Sequence, residues 1–204
     1  MIITTPIAHD GGSSCATYAS ASLYADTAVV NSPDCHWQVI SFGNDDPTKS
    51  ALVHLTPSDI KSGDNAFIVD RSSGRVVYHF SMFHTARVSW LRDRHTLIVN
   101  LDPGPGEDGT VLAFPLDSIV DSPIDLGSTV LPDVFRRSHF PRTDTHSFVS
   151  YTGTRGGRWL LSVSLEATRS GLPLKESRCY LYSVTPNNPA KLHFIGSRKY
   201  CQGG

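Results

Sequence analysis

Between Asn65 and Asn100 the chain reads NAFIVDRSSGRVVYHFSMFHTARVSWLRDRHTLIVN, and no other stretch constrains the fold as strongly. Phe67 and Val69, then Val76, Tyr78 and Phe80, alternate with other residues on either side of Asp70 to Gly74. That period of two is the pattern of strands with one buried face. Gly74 can take the positive φ that a hairpin loop needs, and Asp70 or the serines after it can bond back to the backbone. Val88 and Trp90, then Leu97 and Val99, repeat the arrangement around Arg92 to Arg94. The run therefore predicts four consecutive antiparallel strands. It holds no catalytic group of its own and is expected to be scaffold.

Further strand patterns lie at His36 to Phe42, Ser50 to Leu55 and Gly109 to Asp117. The last third adds His146 to Tyr151, Arg158 to Glu166, Cys179 to Val184 and Lys191 to Gly196, set apart by glycine and proline turns. Helical signals are scarce. Tyr18, Leu23 and Tyr24 suit one face of a short helix or an edge strand equally. The stretch 121–144 contains Pro123, Pro132 and Pro141 and reads as irregular, with one short helical turn at Pro132 to Arg137. These patterns predict an all-β fold of antiparallel sheets, arranged as an incomplete or distorted β-propeller or as a β-sandwich. A single domain over 1–204 is expected. It would comprise an N-terminal segment (1–35), blade-like sheet units (36–120 and 146–204) and an irregular connection (121–145).

Internal repetition adds to this. The hairpin FIVDRSSGRVVYHF has rough echoes at VLAFPLDSIVDSPIDLG and YLYSVTPNNPAKLHFIG. The strand pairs ARVSWLRDRHTLIVN and SFVSYTGTRGGRWLLSVS precede those echoes. VSWLRDRHTLIV is similar to the strand-turn-strand of a TolB blade, and VDRSSG to its outer hairpin. On these segments the chain resembles β-propeller repeats of the TolB and WD40 type, well over 65–120 and poorly over 146–196. It departs from the pattern where Leu91 to Arg94 replace the usual Pro-Asp-Gly turn, and it has no Gly-His or Trp-Asp dipeptide. Three blade-like units also fall short of the roughly four to eight that close a propeller.

Composition narrows the function classes. Only 18% of residues are charged and the formal net charge is -1, so no electrostatic drive toward nucleic acid or an anionic membrane exists. No apolar run approaches the roughly 18 residues of a membrane helix. Cys15 and Cys35 lie near one end and Cys179 and Cys201 near the other, which suits two local disulfides in a periplasmic or secreted protein. Four cysteines allow three pairings, and reduced thiols in the cytoplasm are the alternative. Residues 1–7 do not form a complete signal peptide. No cofactor motif occurs.

Four constellations could carry chemistry. Cys15, after Gly11 to Ser14, could act as a thiolate with His36 or His9 as base, giving a Cys-His hydrolase or deamidase. A disulfide at Cys15 would remove that route. His79, His84 and His95 are close in sequence, with His139 and His146 further on, but none has a metal-ligand spacing. Asp45 and Asp46, Glu107 and Asp108, and Asp121 with Asp125 are loop carboxylates. Lastly, Arg136, Arg137, His139, Arg142 and Asp144 mix with aromatics on a loop, and Arg155 to Trp159 form a second such segment. Arginine and aromatic side chains dominate protein-binding hot spots.

The expectation is a non-catalytic protein binder. In size, cysteine layout and strand content the chain looks like the immunity proteins that protect bacteria from secreted cell-wall hydrolase effectors. That resemblance implies inhibition by insertion of a loop into an enzyme cleft, with 102–109 and 136–146 as the candidate plugs, including Glu107 and Asp108. A carbohydrate-binding module using Trp37, Trp90 or Trp159 is the other binding alternative.

Overall fold

The hairpin anticipated at Asp70 to Gly74 is present in the computed structural model. That structure describes residues 20–24, 28–42, 64–92, 95–102, 104, 107–117, 122–138, 140–142, 145–167, 178–199 and 201. Gly74 has φ 69° and its amide donates to the Asp70 carbonyl at 2.8 Å. The Asp70 carboxylate accepts from the Ser72 amide (2.8 Å) and the Ser72 hydroxyl (2.7 Å). Turn chemistry and strand alternation thus agree at this point, as a well-specified hairpin requires.

Three antiparallel sheets and one helix account for the described elements. The first sheet is the meander β2 (Ala28–Asn31), β3 (Trp37–Ser41), β4 (Ala66–Asp70) and β5 (Arg75–Phe80). The middle sheet runs β1 (Ser20–Tyr24), β6 (Thr85–Trp90), β7 (Thr96–Asp102), β8 (Thr110–Pro115) and β9 (Ile124–Asp125). The third is the meander β10 (Thr145–Arg155), β11 (Arg158–Ala167), β12 (Arg178–Thr185) and β13 (Asn188–Arg198). The fold is all-β in class, and none of the three sheets closes on itself.

One sequence expectation is corrected here. The four-strand run does not form one sheet unit: it splits at residues 81–84, with β4 and β5 in the first sheet and β6 and β7 in the middle one. The block 36–120 accordingly contributes to two sheets. Within 1–35, β1 pairs with β6 and β2 with β3. The predicted strand at Ser50 to Leu55 lies outside the described residues. The strand pairs β4–β5, β8–β9 and β12–β13 each end their sheet.

The middle sheet is buried on both faces. Leu97, Val99, Phe114 and Leu116 pack toward the first sheet with Ile68, Tyr78 and Phe80. Ile98, Val111 and Ala113, on the opposite face, pack against the third sheet and the helix. This explains the unbroken apolar run Leu97-Ile98-Val99, because strands covered on both sides lose the polar alternation. Phe114 sits 5.2 Å from Tyr78 and 5.4 Å from Phe80, centroid to centroid, and the Tyr78 hydroxyl donates to the Pro115 carbonyl at 3.1 Å. Each such aromatic pair contributes about 0.5–1.5 kcal/mol beyond burial.

At the crossing between the first two sheets, Asn65 is buried and clamps Met82. Its side-chain amide donates to the Met82 carbonyl (2.8 Å), and its side-chain oxygen accepts from the Met82 amide (2.8 Å). The side chain thereby continues the ladder where backbone pairing stops.

Helix α1 (Leu126–Ser138) occupies much of the region read as irregular. Asp125 caps it, accepting from the Ser128 amide at 3.0 Å and the Ser128 hydroxyl at 2.6 Å. Leu126, Val130 and Val134 recur at four-residue spacing and are buried against the middle and third sheets. Pro132 lies inside this helix, so its presence limited the sequence reading to one turn.

The middle and third sheets meet along the edge strand β10. The Ser147 amide donates to Asp108 Oδ1 (2.6 Å), the Val149 amide to the Gly109 carbonyl (3.1 Å) and the Tyr151 amide to Asn100 Oδ1 (2.8 Å). Three outward amides of β10 are thus satisfied by the neighbouring sheet, which blunts an edge that would otherwise pair with another chain. Cys179 in β12, opposite Ser164, forms a disulfide with Cys201, their Cα atoms 5.0 Å apart. Cys35 is also disulfide-bonded, and Cys15 lies outside the described residues.

Candidate functional site

The two candidate plug segments converge on the first residues of β10. From one side, Asp108 accepts from both the Ser147 amide and, at 3.0 Å, the Ser147 hydroxyl, while Gly109 pairs with Phe148 as a parallel bridge. From the other, the Thr145 hydroxyl donates to the Pro141 carbonyl at 2.8 Å, holding the chain just before β10. Glu107 and Arg142 are exposed beside these anchors, and Asp108, also exposed, holds Ser147 through Oδ1. His139 and Asp144 lie outside the described residues.

Arg136 and Arg137 do not sit on a loop, as the sequence suggested, but in the last turn of α1. Both bond to Asp133, Arg137 through Nε to Oδ2 at 2.5 Å and Arg136 through Nη2 to Oδ1. The Tyr182 hydroxyl donates to the same carboxylate at 3.0 Å, and the Arg137 guanidinium lies 4.2 Å from the Phe194 ring centroid. Partial burial pushes the Asp133 carboxyl up, but hydrogen bonds from Arg137, Arg136 and Tyr182 outweigh it and bring its pKa down to about 2. Burial, with the Asp133 carboxylate beside it, pushes the Tyr182 phenol well above its usual range. This cluster fastens α1 to the third sheet. Arg137 thereby helps to hold α1 on the third sheet, a role that its loop-like sequence context concealed.

Arg142 is placed differently. Its guanidinium lies 5.1 Å from the Phe135 ring centroid, a cation–π contact that orients the side chain at the surface. A residue missed in the sequence is Phe83, in the connection between the first and middle sheets, which is 73% exposed. Its neighbour His84 packs beside Gly104, whose φ is 103° and whose missing Cβ would lie 3.6 Å from the His84 Cβ. Phe83 precedes β6 at the end of the middle sheet where Thr85 pairs with Asp102 and Leu101 with Thr110. The signal in the sequence was an aromatic in a four-residue turn, out of register with the strands on either side.

A second feature is a cleft of about 800 Å³ between the middle and third sheets. Its middle-sheet wall carries the cross-strand row Ser22, Arg87 and Asn100. Its third-sheet wall carries Phe148 opposite Ser164, and Ser150 opposite Ser162. No sequence motif announced it, because the row joins the β6–β7 hairpin to β1, and the opposing wall comes from β10 and β11.

The remaining candidates are placed as follows. His36 lies in the β2–β3 turn, exposed and edge-on to Trp37 at 4.7 Å between centroids, while Cys15 and His9 lie outside the described residues. His79 pairs with Asp64 and His95 with Asp117, the latter at 2.6 Å. Asp125 is the helix cap, and Asp45, Asp46 and Asp121 lie outside the described residues. Among the described residues no three His, Cys, Asp or Glu side chains are grouped to hold a metal ion. Trp37, Trp90 and Trp159 are all buried, so none offers a ring face to a sugar. Arg155 to Trp159 form the tight β10–β11 turn, with Gly156 at φ 56° and Gly157 at φ 72°. No described helix is long and apolar enough to cross a membrane.

No protein-family model matches the chain, and no curated protein and no solved structure matches it either.

Proposed function

We propose that this is a non-catalytic protein-binding protein of the immunity or inhibitor kind. It would block the active site of a secreted bacterial effector enzyme by inserting the segment around Glu107, with Arg142 and Phe83 beside it. The observation that carries this reading is the convergence of both plug segments on the start of β10. Asp108 and Gly109 tie the C-terminal end of one segment to β10, and Pro141 is held by Thr145. A loop fixed at its base loses little freedom on binding, so more of the contact energy appears as affinity. The exposed Phe83, Arg142 and Glu107 are side chains of the kinds that supply the area and directional bonds of a hot spot. The Cys179–Cys201 disulfide supports an exported protein, in the periplasm or outside the cell.

The test is inhibition of purified cell-wall hydrolase effectors of the muramidase, amidase and endopeptidase classes, read as clearing of a peptidoglycan suspension. Stoichiometric inhibition of one class is expected. Glu107→Ala combined with Arg142→Ala should weaken it about tenfold or more while leaving the melting temperature unchanged. The proposal fails if no class is inhibited, or if the double variant inhibits as well as the wild type.

A further inference from the structure

We propose that the cleft between the middle and third sheets is a binding site for a short oligosaccharide bearing a carboxylate. This goes beyond the docking reading, since Glu107, Arg142 and Phe83 are not among the residues that line it.

The lining departs from the usual ligand pocket, which is mainly apolar with a few polar groups. Here Ser22, Arg87 and Asn100 stand in one cross-strand row, and Ser150 and Ser162 face each other on the opposing wall. The facing strands carry short hydroxyl side chains here, and their shortness leaves the 800 Å³ open. The hydroxyls of Ser150, Ser162 and Ser164 bond to no other described residue. Ser162 is only 6% exposed, so its hydroxyl meets solvent at the bottom of a concavity rather than on an open surface.

Groups that both donate and accept match ligands whose own groups do the same, and sugar hydroxyls are of that kind. Phe148 supplies an apolar ring for the carbon-bound face of a pyranose. Charge selects further. The exposed Arg198 stands on the third-sheet wall, and the single lining carboxylate, Asp102, already accepts from the Gly104 amide at 3.0 Å. A guanidinium binds a carboxylate through paired hydrogen bonds, so an acidic sugar is favoured over a neutral one. This places a sugar site away from the three tryptophans, all of which are buried in the cores.

The experiment is calorimetric titration of the full chain with trigalacturonate and, separately, with maltotriose. Trigalacturonate is expected to bind, with maltotriose at least about tenfold weaker, the scale of one charge-assisted contact. Arg198→Ala, at an exposed position, should weaken trigalacturonate about tenfold, and Ser162→Leu, which fills the cleft, should abolish binding. If Ser162→Leu fails to fold, Ser150→Leu replaces it on the same wall. No binding at about 5 mM, where a Kd near 1 mM would be evident, overturns the proposal. So does equal affinity for the two sugars, or an Arg198→Ala variant that binds like the wild type.

Discussion

Replacing Asp133 by asparagine should loosen α1 from the third sheet by about 1–2 kcal/mol at neutral pH. The Asp133 carboxyl falls from its usual 3.8 to about 2 in the folded protein, under hydrogen bonds from Arg137, Arg136 and Tyr182 that outweigh its burial. At about 1.4 kcal/mol per pKa unit this sets a ceiling near 2.5 kcal/mol. Arg136 is 75% exposed, so water and salt screen its share, and the lower range follows. Because the folded pKa is depressed, the stabilisation is present in full above the unfolded value. It is lost as pH falls from about 4 toward 2, and roughly half should be gone by pH 3. The assay is urea unfolding followed by fluorescence of the buried tryptophans, wild type against Asp133→Asn, at pH 7 and at pH 3. A deficit at pH 7 that shrinks at pH 3 is expected. Equal stability at pH 7, or a deficit independent of pH, would refute the reasoning.

Three further substitutions probe the scaffold. Asn65→Leu strands the buried Met82 amide and carbonyl and should cost about 2–4 kcal/mol, read from the urea midpoint. Gly127→Ala drives a methyl group into the Thr110 hydroxyl, which itself bonds Asp125 at 2.9 Å; a loss of about 1–3 kcal/mol and a fall in helical circular dichroism are expected. Removing the Cys179–Cys201 bridge by paired serine substitution should cost about 3 kcal/mol, measured against the oxidised wild type in urea.

The strands were legible because one face of each is buried, as in β5 and β6, where Tyr78, Phe80, Val88 and Trp90 point inward at every second position. The division of those strands among sheets was not. Residues 81–84 look like any short turn, and only Asn65, at a distance in sequence, marks where the chain passes from one sheet to the next. Helix α1 was readable in principle from the Asp125 cap and the spacing of Leu126, Val130 and Val134. Pro132 and the flanking prolines argued against it locally, and burial against two sheets overrode them. Of the proposed docking edge, Glu107, Asp108 and Arg142 were identified by residue type. Their meeting at β10, the exposure of Phe83 and the structural use of Arg137 depend on tertiary contacts that no local pattern encodes. The cleft was invisible for the same reason.

The central claim is that the protein binds an enzyme through the edge at the start of β10. Amide hydrogen exchange, compared with and without a stoichiometric hydrolase partner, tests it directly. New protection confined to residues 82–84, 104–109 and 140–147 is the predicted result. Protection absent there and found instead along β13 or the outer hairpin of the first sheet would contradict the account.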